Sequence, residues 1–466
     1  MFKNNLFTIF HLLVLLFSLN LSASYEAKQA GMSQERLDKI APTLSKYIAQ
    51  KEIPGLITAV LRKGRIVHFE TQGYADVENE IPLQKDSLFR IYSMTKPVTG
   101  VALMILLEEG KLRLDDPVQK FIPEFKQTKV FKGMDDSGMV TESLARPITI
   151  RDLATHTSGL SYAINRPNPV SNLYREKRIF PYYYPSREGD LEGAKSYQDI
   201  CSFAASVASL PLRHQPGLQW TYSIGMDILG CVIERASGQT FDVFLEERLF
   251  EPLKMKDTSF YIPEDKKSRH TNLYINAPLV KMMVPEMANM IKGDQLMALL
   301  VDRRVCPYLK KPTVFDGGSG LISSTEDYLK FAQMLLNNGK VGQVRILSRK
   351  SVELLSSDLL SQETKNSNGS GRWKGRGFGI TVGVTNDPGL SGEYGSSGKY
   401  NWGGAAATVF WIDPKEELAA VAMTQLLGSR LPLREDFEAL VYAAIDDQKN
   451  SHLLSYLICF YLLRKQ

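Results

Sequence analysis

Ser93-Met94-Thr95-Lys96-Pro97 opens the stretch that decides how this chain is read, and the apolar run at 98–109 continues it. Val98, Val101, Ile105 and Leu106 recur at helical spacing with Ala102 among them, and Gly110 supplies a stop. Pro97 is tolerated only near a helix start, so the helix begins close to Ser93. Residues three apart share one helix face, which sets the Ser93 hydroxyl beside the Lys96 amine. Ser93 also falls at the positive end of the helix dipole, where developing negative charge is favoured. A bare Ser-x-x-Lys says little. A second copy, Ser396-Ser397-Gly398-Lys399, lies among glycines with no helix to orient it. Taken alone, Ser93 reads equally well as a helix N-cap.

The pattern around this helix suggests an α+β fold. Strands are expected at 56–61 and 66–71, around the hairpin signal Lys63-Gly64, and again at 377–384, 406–412 and 418–424. Helices are expected at 32–51 (capped by Ser33), 148–155, 227–236, 241–249, 325–336 and 437–445. Residues 160–200 and 361–376 read as loops, Gly317 to Gly320 as a tight turn, and 264–312 has no clear pattern. Strands at both ends with helices between imply one antiparallel sheet built from both termini, flanked by helices and interrupted by a large helical and loop insertion.

With 466 residues, 44% hydrophobic and 23% charged, the chain is ordinary globular material. The net charge of +5 is spread out, so no basic stripe points to nucleic acid. Residues 1–24 carry one lysine, an apolar run and a small-residue end, which reads as a secretory signal peptide, or as an anchor if uncleaved. Residues 25–447 form the expected domain. In the tail at 448–466 the apolar run Leu453 to Leu463, eleven residues, is too short to span a bilayer comfortably, and the tail either docks on the domain or lies on a membrane surface. The expected location is therefore secreted or periplasmic. Four cysteines (Cys201, Cys231, Cys306, Cys459) allow one bridge without saying which, and Cys231 reads as a buried thiol in a helical pattern.

The chemistry needs more than Ser93. A serine hydroxyl is a poor nucleophile until a base takes its proton, and Lys96 is that base if it is desolvated. Tyr222, just ahead of the 227–236 helix, is the strongest relay candidate among twenty tyrosines. Asn401-Trp402-Gly403-Gly404-Ala405 leads into a strand. Its glycines let a substrate approach the backbone, where an N–H together with that of Ser93 can hold an oxyanion. No Gly-x-Ser-x-Gly, His-Glu-x-x-His or Cys-x-x-Cys occurs, so metal ligands and cofactors are not expected. His156 reads as a structural hydrogen-bonding residue.

Taken together and in order, Ser93-Met94-Thr95-Lys96-Pro97, Thr155-His156-Thr157-Ser158-Gly159-Leu160, Gln215-Pro216-Gly217 through Tyr222-Ser223, and Trp402-Gly403-Gly404 ahead of Trp411-Ile412-Asp413-Pro414 resemble the serine β-lactamase and penicillin-binding-protein superfamily, nearest its class C-like esterase branch. The resemblance spans about 33–447. It implies a β-lactamase/transpeptidase-like fold, Ser93 as acylated nucleophile, Lys96 and Tyr222 as general-base pair, and the N–H groups of Ser93 and Ala405 as oxyanion hole. Two departures bear on substrate. Ile224 stands where penicillin-active members carry Asn, and Trp402 where they carry a cation, so neither an amide nor a carboxylate is held there. With Trp402, Gly403, Gly404 and Ile224 lining the substrate site, the expected activity is a carboxylesterase on small uncharged esters. A β-lactamase or D-alanyl-D-alanine carboxypeptidase, an acyltransferase, and a non-catalytic envelope binding protein are the alternatives.

Overall fold

In the computed structural model, which describes residues 25–179, 197–279, 295–367, 369 and 371–447, the Lys63-Gly64 turn joins β1 (Gly55–Arg62) to β2 (Arg65–Asp76), and β3 (Ile81–Pro82) follows at the edge. The C-terminal part supplies β4 (Arg376–Phe378), β5 (Gly383–Thr385), β6 (Tyr400–Gly403), β7 (Val409–Asp413) and β8 (Leu418–Met423). Together they make one antiparallel sheet in the order β4-β5-β6-β7-β8-β1-β2-β3. Ile57 stands opposite Met423, and Arg62 opposite Leu418. Both ends of the chain therefore build the same sheet, as the strand pattern implied.

Side chains alternate across a strand, and here both faces are buried. Ile57, Ala59, Leu61, Phe410, Ile412 and Val421 point into the main core. Leu56, Val60, Trp411, Ala420 and Ala422 point into a second core. The second core is closed by α1 (Ile40–Ala49) and a C-terminal helix, Leu433–Ala443. The main core holds α2 (Thr95–Glu108), α3 (Gly225–Ser237) and α4 (Thr325–Leu336); the C-terminal helix is α5. Every residue of α2 from Thr95 to Leu106 is buried, so it carries no single apolar stripe. Such a helix belongs in the middle of a molecule. Gly100 makes this burial feasible, since a Cβ there would meet the Thr381 hydroxyl at 2.2 Å.

Several expected elements differ. The helix expected at 32–51 breaks into Gln34–Leu37, capped by Ser33, and α1. Pro42 explains the restart, because proline is accommodated only in a first turn. The strand expected at 377–384 is two strands, β4 and β5, reversing at Gly379 to Thr381, where Thr381 adopts φ +63°. Within 160–200 lies the helix Pro169–Glu176, capped by Asn168, and within 361–376 the helix Gln362–Ser367. The patternless 264–312 contributes Leu273–Asn276 and Met297–Val301 to a small sheet completed by Leu426–Leu427. A hairpin, Lys129–Asp135 with Gly138–Ser143, was not expected.

Cys231 is buried but is not a free thiol: it is disulfide-bonded to Cys201, tying α3 to the helix Ile200–Ala208. Cys306 is free and buried. The expected signal peptide at 1–24 and the tail at 448–466 lie outside the described residues. Among those described, no helix is long and apolar enough to cross a membrane.

Candidate active site

Ser93 sits in a single 3-10 turn, Tyr92–Met94, that leads into α2. Tyr92 takes φ +44°, a left-handed conformation that costs a non-glycine residue about 1 kcal/mol or more. The turn is held on both sides: the Met94 N–H donates to the Ile91 carbonyl at 3.0 Å, and the Tyr328 hydroxyl donates to the Met94 carbonyl at 2.9 Å. One turn on, Lys96 is fully buried. Its Nζ donates to Ser93 Oγ at 3.1 Å and to the Gly318 carbonyl at 2.8 Å. The Tyr222 hydroxyl lies 2.6 Å from Ser93 Oγ, and the Lys96 ammonium sits 4.8 Å from the centre of its ring. A neighbour one helical turn away and a tyrosine 129 residues away thus meet on one oxygen.

The Gly317-Gly318 turn that receives Lys96 is wedged between two helices. The Thr99 hydroxyl of α2 donates to the Gly317 carbonyl at 2.6 Å. On the other side a Cβ at Gly317 would meet the Met226 carbonyl at 2.5 Å, and one at Gly318 the Asp227 carboxyl at 2.7 Å, so only glycines fit. The Gly318 N–H donates to Asp316 Oδ1 at 2.6 Å and to Asp227 Oδ1 at 3.3 Å. Burial, reinforced by Asp316, pushes the Asp227 carboxyl well above its ordinary range.

Tyr222 is braced from behind. Its ring stacks with Tyr162 at 5.9 Å and meets His156 at 4.8 Å. The Ser223 N–H donates to His156 Nδ1 at 3.2 Å, which puts the ring proton on Nε2. Burial, and secondarily the charges of Lys96 and Arg372, push the His156 imidazole well below its usual range, so it stays neutral. His156 therefore supports Tyr222 by packing and hydrogen bonding, the structural role expected of it.

Ser93 and Tyr222 open into a pocket of about 380 Å³, walled by Ile164, Asn401, Trp402, Gly403, Gly404, Ala405 and Arg434. Strand β6 brings the Trp402-Gly403-Gly404 edge against the serine turn. A Cβ at Gly404 would lie 2.3 Å from the Ile91 carbonyl, two residues before Ser93. Ala405 is exposed, and among the described residues no acceptor takes its N–H. Ile224 is a correction: it is fully buried in the main core, where its N–H donates to the Ser161 carbonyl at 3.2 Å, and it does not line the pocket. Arg434, from the first turn of α5, was missed. Its sequence neighbourhood reads only as a helix start, and its reach depends on how α5 docks. Ile164, from a loop, and Asn401, from β6, were also missed as pocket walls. The second Ser-x-x-Lys is structural: Lys399 is buried, and its Nζ donates to the Tyr394 carbonyl and to Glu438 Oε2 at 3.2 Å.

An antiparallel sheet from both chain ends, a buried serine helix and a pocket at the β6 edge define the β-lactamase/transpeptidase-like class. The β-lactamase family model matches residues 40–444, and the chain belongs to that family. The Mycobacterium tuberculosis protein Rv1367c is 34% identical over 380 residues, covering 80% of this chain and 86% of its own. Esterase EstB of Burkholderia gladioli is 27% identical over 414 residues, 88% of this chain and 95% of EstB. Simvastatin synthase LovD from Aspergillus terreus superposes with a TM-score of 0.70 at 23% identity, over 89% of this chain and 99% of that one. The protein is thus a β-lactamase-fold member of a hydrolase family that has esterase relatives.

Proposed function

We propose that the protein is a serine hydrolase working through an acyl-enzyme on Ser93, and specifically a carboxylesterase on small esters. The observation that carries this reading is the meeting of the Lys96 amine and the Tyr222 hydroxyl on Ser93 Oγ, at 3.1 Å and 2.6 Å, in the wall of a pocket. Both lie within the reach a general base needs.

In this mechanism Ser93 Oγ attacks the ester carbonyl carbon while its proton passes to the Tyr222–Lys96 pair. The carbonyl oxygen gains the negative charge, and the N–H groups of Ser93 and Ala405 receive it. Collapse breaks the bond to the alcohol oxygen, which takes the proton from the same pair. Water then repeats the sequence on the acyl-enzyme and releases the acid. Trp402, Gly403 and Gly404 line the substrate's path. The name of EstB supports an ester substrate, and the indole of Trp402 supports it further by giving the pocket an apolar packing surface beside Ser93. The Cys201–Cys231 bridge supports an oxidising, extracytoplasmic location with residues 1–24 as signal peptide.

Hydrolysis of 4-nitrophenyl acetate and butyrate by wild type and Ser93→Ala tests the assignment. Wild-type turnover with loss in the variant supports it; equal rates remove Ser93 from the chemistry. Nitrocefin, and intact mass after penicillin, provide the β-lactam arm, and an added alcohol acceptor the transfer arm.

A further inference from the structure

Beyond Trp402 the pocket does not end. A second cavity of about 290 Å³ adjoins the first and shares Asn401, Trp402 and Arg434 with it. Its walls are aromatic. Trp220, Trp373, Phe378 and Trp402 pack with ring centres 5.2 to 5.6 Å apart. Its charge is cationic. The Arg372 guanidinium lies 4.0 Å over the Trp220 ring and, among the described residues, pairs with no carboxylate. Arg376, Arg434 and Lys399 are ion-paired with Glu393 and Glu438, and Glu435 adds its charge beside Arg434: Arg376 Nε lies 3.0 Å from Glu393, Arg434 Nε 2.9 Å from Glu438, and Lys399 3.2 Å from Glu438. Among the residues that line the cavity, three cations, Arg372, Arg376 and Arg434, stand against one carboxylate, Glu393.

This arrangement has a built frame. The helix Gln362–Ser367, just ahead of Arg372 and Trp373 in sequence, is tied to the Gly217-Leu218 turn that precedes Trp220. The Thr364 hydroxyl donates to the Gly217 carbonyl at 2.6 Å, and that of Ser367 to the Leu218 carbonyl at 2.9 Å. Stacking on an indole holds the Arg372 plane while leaving its N–H edges to face a ligand.

We propose that this second cavity is a subsite for an anionic group, a carboxylate on a flat apolar body, carried by the part of the ester that extends past Trp402 from Ser93. The inference rests on the hydrolase reading for its substrate and narrows that substrate to esters uncharged at the reacting carbonyl and anionic at the far end. Trp402 separates the two ends. The positive charge absent at position 402 is supplied from across the indole, by Arg372 and Arg434.

The test compares kcat/KM, corrected for uncatalysed hydrolysis, in two matched pairs. 4-Acetoxybenzoate against its methyl ester puts the carboxylate on the leaving alcohol, and mono-4-nitrophenyl glutarate against 4-nitrophenyl valerate puts it on the acyl side. In one pair the anionic member is favoured about tenfold or more through KM, and the ratio falls toward one in R372Q, in R434Q and at 0.5 M salt. Ratios at or below one in both pairs, or a preference that survives both substitutions in folded protein, overturn the subsite. Calorimetric titration of Ser93→Ala with 4-hydroxybenzoate needs no turnover. Binding lost in S93A/R372Q with no ester hydrolysed by wild type keeps the subsite and removes the hydrolase. Ser93-dependent hydrolysis with no binding and no anionic preference does the reverse.

Discussion

Gly404→Ala isolates the geometry on which the proposed oxyanion hole depends. The added methyl would lie 2.2 Å from Thr408 Oγ1 and 2.3 Å from the Ile91 carbonyl, against 3.4 Å or more for ordinary contact. Thr408 can turn aside, but the Ile91 oxygen is backbone and leads directly into the strained Tyr92 and Ser93. Relief therefore needs roughly 1 Å of separation between the β6 edge and the serine turn. The Gly404 N–H donates to the Thr408 carbonyl at 2.8 Å, so the edge resists moving alone. A displacement of that size costs about 100-fold in rate, or about 2.7 kcal/mol of barrier. Overpacking costs about 1–3 kcal/mol of stability as well. Gly403→Ala is the internal control. Its methyl would meet only the Thr408 carbonyl, at 3.1 Å, which a few tenths of an ångström relieve. The assay is kcat for 4-nitrophenyl butyrate, with urea unfolding to establish that each variant is folded. G404A is expected about 100-fold down in kcat with KM little changed, and G403A within about threefold of wild type. Folded G404A with near wild-type kcat, or equal damage in G403A, refutes the reasoning.

Lys96→Met keeps length and burial but removes the amine, and kcat is expected to fall by about 10³-fold or more; a loss under tenfold excludes Lys96 as base. Ser396→Ala, in the second Ser-x-x-Lys, is expected to leave kcat/KM within twofold of wild type on the same ester. Reducing the Cys201–Cys231 bridge, or replacing both cysteines with serine, opens a loop of separation 30 and is expected to cost about 3–4 kcal/mol in urea unfolding. His68 is buried, with Nε2 2.7 Å from the Thr58 hydroxyl, and desolvation lowers its pKa from 6.5 to about 4. A lowered histidine pKa means the unfolded state takes up the proton first, so stability present above pH 6.5 is lost as pH falls toward 4. That loss is about 3 kcal/mol between pH 7 and 4, and His68→Gln should shrink the pH dependence of unfolding by that amount.

What could be read ahead of the structure was local. The β1–β2 hairpin follows from Lys63-Gly64 between apolar runs, and α4 from its amphipathic stripe at 325–336. Both are decided within a dozen residues. Leu273–Asn276 becomes a strand only between two partners, Met297–Val301 on one side and Leu426–Leu427, some 150 positions away, on the other, so its own few residues carry little signal. The reversal at Thr381 uses a positive φ at a β-branched residue, which no turn rule anticipates. The site divides in the same way. Ser93 and Lys96 are one helical turn apart, and spacing alone joins them. Tyr222 needed the whole ordered pattern. Ile224 was misplaced because a residue next to Tyr222 in sequence can point into the core, and Arg434 was missed because only tertiary docking brings α5 to the pocket.

The electrostatics around Lys96 follow from what the Gly317-Gly318 turn puts between charges. Among the described residues no carboxylate lies within salt-bridge distance of Lys96; its partners are a carbonyl and the Ser93 hydroxyl. The neighbouring acid, Asp227, lies on the far side of Gly318, and burial with Asp316 favours its protonated form. A carboxylate in direct contact would hold the side chain in an ion pair. A carbonyl orients the amine without that hold. The glycines at 317 and 318 are the condition for this, since a side chain at either would push α3 from α2 and expose Lys96 to water or to Asp227. The device that aims the proposed base is therefore a backbone turn, packed so closely that it also sets the distance between the helices carrying Lys96 and Asp227.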